Sequence, residues 1–191
     1  MNDTEPDGSL NGDNSTPDDP LNPTDLLQQF REKHRSLQKP ERVYELGAQA
    51  LAAQVNSEPI SISDLAAEHS SSDSERVQLE KDIGYAKRQI AKKTDTHALP
   101  TDAEKFIHRY VQDLDLSEST EDDALRLLDT SHSTIAGRAS PSVAAGLVYT
   151  AAFLNDEPIT QTDMAETSNV SPVTIRKIHN SLLEEAEVAE A

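Results

Sequence analysis

Asn56-Ser-Glu-Pro-Ile-Ser-Ile-Ser-Asp-Leu-Ala-Ala-Glu68 and Asn155-Asp-Glu-Pro-Ile-Thr-Gln-Thr-Asp-Met-Ala-Glu-Thr167 align without a gap at an offset of 99 residues. Six of the thirteen positions are identical, two exchange Ser for Thr, and one exchanges Leu for Met. The same offset runs upstream, pairing Gly47 with Gly146, Ala52-Ala53 with Ala151-Ala152, and Lys39 with Arg138. Two homologous units of roughly 90 residues therefore follow each other. A solenoid needs at least about three copies, so the reading is a tandem pair of small domains.

Both units read as helical. Only six Gly, three Phe, four Tyr and no Trp occur in 191 residues, against plentiful Ala and Leu, a profile poor in hairpin turns and rich in helix formers. In the second unit Thr101-Asp102 opens a first helix with Phe106, Ile107, Tyr110, Val111 and Leu114 on one face, and Ser119 opens a second with Ala124, Leu125, Leu127 and Leu128. Ser140-Pro141 has the N-cap and N1 chemistry of a third over 143–154, whose alanines allow close packing. Thr160 to Asp163 is a capping signal for a short fourth, Asn169 a stop, and Ser171-Pro172 the start of the fifth. The first unit repeats helices two to five at about 24–37, 40–55, 61–69 and 75–93, with about seven extra residues in the 70–76 turn. Its counterpart of helix one would fall in residues 1 to about 22, which carry six acidic side chains, Gly, Pro and no basic residue. That stretch has too little apolar surface to offset its ordering entropy and is expected to be disordered. The expected organisation is an acidic tail (1–22), a truncated first unit (23–97) and a complete second unit (98–188) ending in a helix-turn-helix (160–187).

The chain has 35 acidic and 17 basic residues, a formal charge of -18 and no cysteine. The last fact excludes Cys-ligated zinc sites, disulfides and a thiol nucleophile. No apolar run approaches the ~18 residues needed to cross a bilayer, and the acidic start is unlike a signal peptide, so an intracellular, cytoplasmic protein without membrane contact is expected. The six histidines, His34, His69, His97, His108, His132 and His179, are scattered without metal-ligand spacing, and no Gly-rich phosphate loop occurs. No enzyme activity, cofactor or metal is expected. Strong acidity ordinarily argues against nucleic acid. Scarce lysine, dispersed acid and small apolar residues resemble the proteins of salt-in halophiles, however, and at about 1 M salt the Debye length falls to roughly 3 Å. Net charge therefore does not decide the matter.

Local charge carries more. On a wheel of the fifth helix of the second unit, Ile175, Ile178 and Leu182 share one side, while Val173, Arg176, Lys177 and Asn180 cluster opposite. A recognition helix reads major-groove base edges from its first turns, where Val173, Arg176 and Lys177 lie; the bland alternative is a solvated amphipathic face. In the corresponding helix of the first unit, Leu79, Ile83, Ala86 and Ile90 form the apolar stripe. Lys81, Tyr85, Arg88 and Lys92 lie broadly opposite, with Lys87 and Lys93 at the flanks. Five basic residues against Asp82 leave residues 81–93 at +4, which suggests a phosphate-facing surface. Cations placed against the helix dipole would account for Lys92 and Lys93 but not for Lys81 or Arg88.

Gly137-Arg138, Pro141, Val143-Ala-Ala145, Tyr149, Ala151-Ala152 and Val173-Thr-Ile-Arg176 resemble the second cyclin-like repeat of archaeal transcription factor B, the relative of eukaryotic transcription factor IIB. Pro100-Thr-Asp102 with Phe106, Arg109, Tyr110, Leu114 and Leu116 looks like the linker and first helix of that repeat. The likeness covers roughly 38–187 and is weaker in the first repeat, where Asp82-Ile-Gly84 supports it. It implies an all-α fold of two tandem cyclin-like repeats, the first truncated here and the second ending in a helix-turn-helix. It also implies partners: promoter DNA, TATA-binding protein and RNA polymerase, with full-length factor B as a competitor. By this resemblance Val173 and Arg176 match base-reading positions, with Thr174 and Lys177 as neighbouring candidates. Lys81, Arg88 and Arg138 become phosphate contacts by analogy, and Lys87 and Lys92 extend that basic surface. Two departures stand out: the family's zinc ribbon and polymerase-entering segment have no match, and the first repeat lacks its first helix. The expected function is promoter binding with TATA-binding protein that modulates transcription initiation. A cyclin-type protein-interaction module without DNA binding is the rival; a dimeric helix-turn-helix repressor would need a self-association surface that the sequence does not display.

Overall fold

A computed structural model describes residues 20–34, 36–97 and 101–189. Most of the expected acidic tail, residues 1–19, lies outside the described residues. At 20–22 the chain is engaged: the Leu21 N–H donates to Asn56 Oδ1 at 2.8 Å, and Asn22 caps the first helix through the N–H of Thr24.

Among the described residues there are ten helices and no strand. The first repeat contains α1 (Pro23–Lys33), α2 (Glu41–Val55), α3 (Ile62–Glu68) and α4 (Asp73–Thr94). The second contains α5 (Ala103–Asp113), α6 (Glu118–Thr130), α7 (His132–Ile135), α8 (Ser140–Leu154), α9 (Gln161–Ser168) and α10 (Pro172–Ala189). The architecture is all-α, with two cyclin-like repeats, and among the described residues the first has no counterpart of α5. The four-residue α7 has no forerunner in the sequence reading. Two helix starts also differ from it. α6 is capped by Ser117, whose Oγ accepts the Thr120 N–H at 3.3 Å, rather than by Ser119. α8 begins at Ser140 with Ala139 in the cap position and no side-chain cap bond, so Pro141 occupies a first-turn place where its missing N–H leaves no donor unpaired.

Each repeat wraps around one helix rich in small residues. In α8, Val143, Ala144, Ala145, Leu147, Val148, Ala151 and Ala152 are buried, which lets α5, α6, α9 and α10 approach it from several sides. α2 plays the same part in the first repeat. Leu26, Phe30, Tyr44, Leu51, Ala86 and Ile90 form a core on one flank of it, and Leu46, Ala50, Leu65 and Ile83 one on the other.

The duplication is visible bond by bond. After α2 and α8 the chain turns through left-handed residues at equivalent positions, Ser57 (φ 58°) and Asp156 (φ 55°). The N–H of Glu58 reaches the Ala53 carbonyl at 2.8 Å, and that of Glu157 reaches Ala152 at 2.9 Å. Ser61 with Asp64 and Thr160 with Asp163 then form reciprocal capping boxes.

The register changes at the last helix. Gly47 faces Ala86 while Gly146 faces Ile178, so the offset of 99 falls to 92 where α4 and α10 cross their central helices. The seven extra residues expected in the 70–76 turn therefore do not lengthen the turn. From Asp73 they add about two helical turns to the amino end of α4. Ser72 caps the extension through the Glu75 N–H, and the Glu75 carboxylate accepts the Ser71 N–H at 2.7 Å.

Candidate nucleic-acid interface

α9, the turn at 169–171 and α10 form the helix-turn-helix of the second repeat. The Thr160–Asp163 capping box starts α9, the N–H of Thr160 donating to Asp163 Oδ2 at 2.8 Å. Asn169 ends it in the left-handed conformation, φ 54°. Ser171 starts α10 by accepting the Thr174 N–H at 3.2 Å. Ile175, Ile178 and Leu182 are buried against α8 and Met164, and that burial fixes which face of α10 turns outward.

On the outward face Val173 is 49% exposed and Arg176, Lys177 and Asn180 are exposed. No carboxylate lies within ion-pair reach of Arg176 or Lys177 among the described residues. Thr174 is only partly exposed, and its hydroxyl is engaged by Ser171 Oγ at 2.9 Å. The first turns of α10 thus present one apolar side chain and two unpaired cations.

Lys81, Arg88 and Lys92 fall within an arc of about 40° around the α4 axis at about 100° per residue. All three are exposed without a carboxylate partner among the described residues. Asp82 is drawn away from them by Lys39 at 2.8 Å, which leaves the stripe uniformly positive. Lys87 does not share it. It is half-buried and lines a cavity of about 310 Å³ between the repeats, with Ser61, Thr101, Phe106 and Ser140, and burial pushes its ammonium pKa down. Arg138 is exposed beyond α7, its Nε donating to the Thr134 carbonyl at 2.9 Å. α7 in turn touches α10, the Thr134 hydroxyl donating to Glu185 at 2.6 Å. The site residues thus form two groups, Val173–Lys177 on α10 and Lys81, Arg88 and Lys92 on α4, with Arg138 and Lys87 apart from both.

His179, which the sequence presents only as one of six scattered histidines, lies beside this face. It is 8% exposed, edge-on to Tyr149 and Phe153 at 5.1 and 5.2 Å. Its Nδ1 lies 3.1 Å from Thr150 Oγ1, whose own proton goes to the Gly146 carbonyl. The imidazole therefore supplies the proton from Nδ1, and burial lowers its pKa. Its i−4, i+3 and i+4 relation to Ile175, Leu182 and Leu183 on the wheel could have marked it as inward-facing. Among the described residues no group of His, Asp or Glu is arranged to hold a metal ion, and no helix is long and apolar enough to cross a membrane.

The model for the transcription factor TFIIB repeat matches residues 96–185. Transcription initiation factor IIB 3 of Halobacterium salinarum is 33% identical over 107 residues, 55% of this chain and 34% of that protein. Transcription initiation factor IIB of Haloarcula vallismortis is 29% identical over 107 residues, 94% of its own length. Transcription initiation factor IIB 2 of Haloferax volcanii is 33% identical over 99 residues, 30% of its length. The alignment thus spans about a third of the Halobacterium and Haloferax relatives, and the haloarchaeal hosts accord with the acidic, lysine-poor composition. Residues 96–185 thus match the transcription factor TFIIB repeat, and the relatives similar to this chain over about half its length are transcription initiation factor IIB proteins.

Proposed function

We propose that this chain is a TFIIB-like, non-enzymatic DNA-binding protein of the cytoplasm that engages promoter DNA together with TATA-binding protein and modulates transcription initiation. The observation that carries the reading is the set of exposed cations on α4 and α10 with no carboxylate partner among the described residues, in a chain of charge -18. With twice as many acids as bases available, cations left unpaired on two helices are suited to phosphate and base edges. The two helices differ in how they would meet the duplex. α10 opens with Val173, Arg176 and Lys177, short and basic enough to enter a major groove. α4 opens with Asp73 and Glu75, which phosphates would repel, so its basic stripe suits the backbone rather than the groove floor. Val173, Thr174, Arg176 and Lys177 are assigned to base reading, and Lys81, Arg88, Lys92 and Arg138 to phosphate. Lys87 serves from the inter-repeat cavity if the duplex edge reaches it.

A gel-shift at high salt, using a promoter fragment with and without TATA-binding protein, tests the reading. A shifted complex weakened by Arg176→Ala supports it; no complex in either condition refutes it.

One observation favours the rival interaction module. Phe153 and Leu154, at the end of α8, are 56% and 55% exposed side by side, a surface suited to a protein partner. Function that survives loss of Arg176 and Lys177 but not of Phe153 would select that reading.

A further inference from the structure

No helix of the first repeat packs broadly along a helix of the second among the described residues, so the angle between the repeats rests on a few side chains. One carboxylate gathers most of them. Asp64 of α3 accepts Nη1 and Nη2 of Arg109 of α5 at 2.9 and 3.2 Å, and the side-chain amide of Asn169 at 3.0 Å. The same carboxylate accepts the Ser61 N–H at 2.8 Å and so also caps α3. Arg109 Nη1 donates in addition to the Pro59 carbonyl, and the Thr101 hydroxyl to that of Glu58 at 3.4 Å. The guanidinium lies over the Tyr110 ring at 4.8 Å and the Phe106 ring at 5.7 Å, which fixes its plane.

The equivalent residue of the second repeat shows what is special here. Asp163 occupies the same capping-box position but is exposed and bonds only to Thr160 among the described residues. Asp64 does that work and holds two residues of the other repeat besides. One of them, Asn169, is the left-handed residue that closes α9 and turns the chain into α10. Burial would push the Asp64 carboxyl upward, but the donors from Arg109, Asn169 and the Ser61 N–H outweigh it and hold it below the usual carboxylate range.

We propose that Asp64 is a positioning residue that ties the first repeat to the helix-turn-helix turn of the second, and so sets the angle at which the α4 and α10 faces meet one DNA duplex. The clamp itself stands on geometry; its purpose rests on the DNA-binding reading. Two faces held at a fixed angle bind one duplex as a linked pair, with an advantage that neither face has alone.

The absence of cysteine in the sequence allows clean labelling for the test. Spin labels at Ser74→Cys on α4 and Ser119→Cys on α6, both exposed, report the inter-repeat distance by pulsed electron resonance in the free 191-residue chain. Arg109→Gln removes the fork but leaves the α3 cap intact. Asn169→Gly keeps the left-handed backbone, which glycine adopts freely, and removes only the amide. Each is expected to broaden and shift the distance distribution, and the double variant to add little to the larger single effect. Affinity for a promoter duplex long enough to meet both faces should fall about tenfold, with little change on a short duplex covering the α10 contacts alone. Distributions unchanged in both single variants overturn the clamp. A widened distribution with unchanged affinity on the long duplex overturns its link to DNA. A parent protein that binds no promoter DNA refutes the DNA reading, while the distance measurement still decides the clamp.

Discussion

A methyl group placed on Gly146 would stand 2.3 Å from Cγ2 of Ile178, so α8 and α10 cross at a contact that only glycine permits. In the first repeat a methyl on Gly47 would meet the Ala86 methyl at 2.8 Å and the Lys87 backbone nitrogen at 2.9 Å. Gly146→Ala and Gly47→Ala are each expected to destabilise by about 1–3 kcal/mol through overpacking. Gly84, whose nearest neighbour would be Arg88 Nη1 at 3.6 Å, should behave oppositely. Gly84→Ala should stabilise by about 0.5–1 kcal/mol from helix propensity. Chemical unfolding of the three variants checks the ordering, and destabilisation by all three would contradict it.

Base reading and phosphate binding predict different losses. Arg176→Ala should weaken promoter binding and relax sequence preference, since one good base contact is worth about 1–3 kcal/mol of discrimination. Arg88→Ala should weaken all sequences alike and reduce the slope of log affinity against log salt by about one. Titrations over a panel of upstream elements at several salt concentrations separate the two. Identical behaviour of both variants would remove the distinction between the faces.

Two histidines pull the pH dependence of stability in opposite directions. Burial lowers the pKa of His179, so the unfolded chain takes up its proton first. The stabilisation is complete above the ordinary value of 6.5 and is lost as pH falls below it. His108 is raised, chiefly by its hydrogen bond to Glu121 and further by Glu104 at 3.5 Å. Its contribution is present below 6.5 and disappears as pH rises through the folded value. His179→Gln should flatten the loss of stability as pH falls below 6.5, and His108→Gln the change as pH rises above it. Unfolding curves across pH 5–8 read both, and unaltered profiles would refute the assignments.

The output prediction concerns transcription. The matched segment is about a third of the Halobacterium and Haloferax relatives, and the 191 residues contain no cysteine to build a thiolate zinc site. Added to promoter, TATA-binding protein and polymerase, this chain should yield no transcripts by itself. It should repress a full-length factor B that shares its sites, and extra full-length factor should relieve the repression by mass action. Robust transcripts with this chain as the sole factor B would defeat the prediction.

Much of this architecture was readable from local chemistry. The Thr160–Asp163 box, the Asn169 stop and the Ile175–Ile178–Leu182 stripe are each set by residues within a turn or two of one another, and the offset of 99 shows by repetition that the same local signals occur twice. Helix type, the number of helices apart from α7, and the outward face of α10 follow from such short-range patterns because burial of an apolar stripe leaves one orientation. The seven extra residues were visible too, but whether they bulge as a turn or lengthen a helix was not. That choice depended on where α4 crosses α2, at Gly47 and Ala86, which are 39 residues apart.

Other features belonged to the tertiary structure alone. Lys87 and Arg88 are neighbours in sequence, yet one lines the cavity between the repeats and the other stands in solvent, because the residues that share the cavity with Lys87 come from parts of the chain 14 to 54 positions away. Asp64 and Asp163 are the same residue of the same motif, and nothing local distinguishes them. Only the meeting of α3 with Arg109, 45 residues on, and with Asn169, 105 residues on, turns the first into a clamp and leaves the second a helix cap. A capping carboxylate has lone pairs to spare, and which distant donors come to fill them is decided by how the two repeats pack.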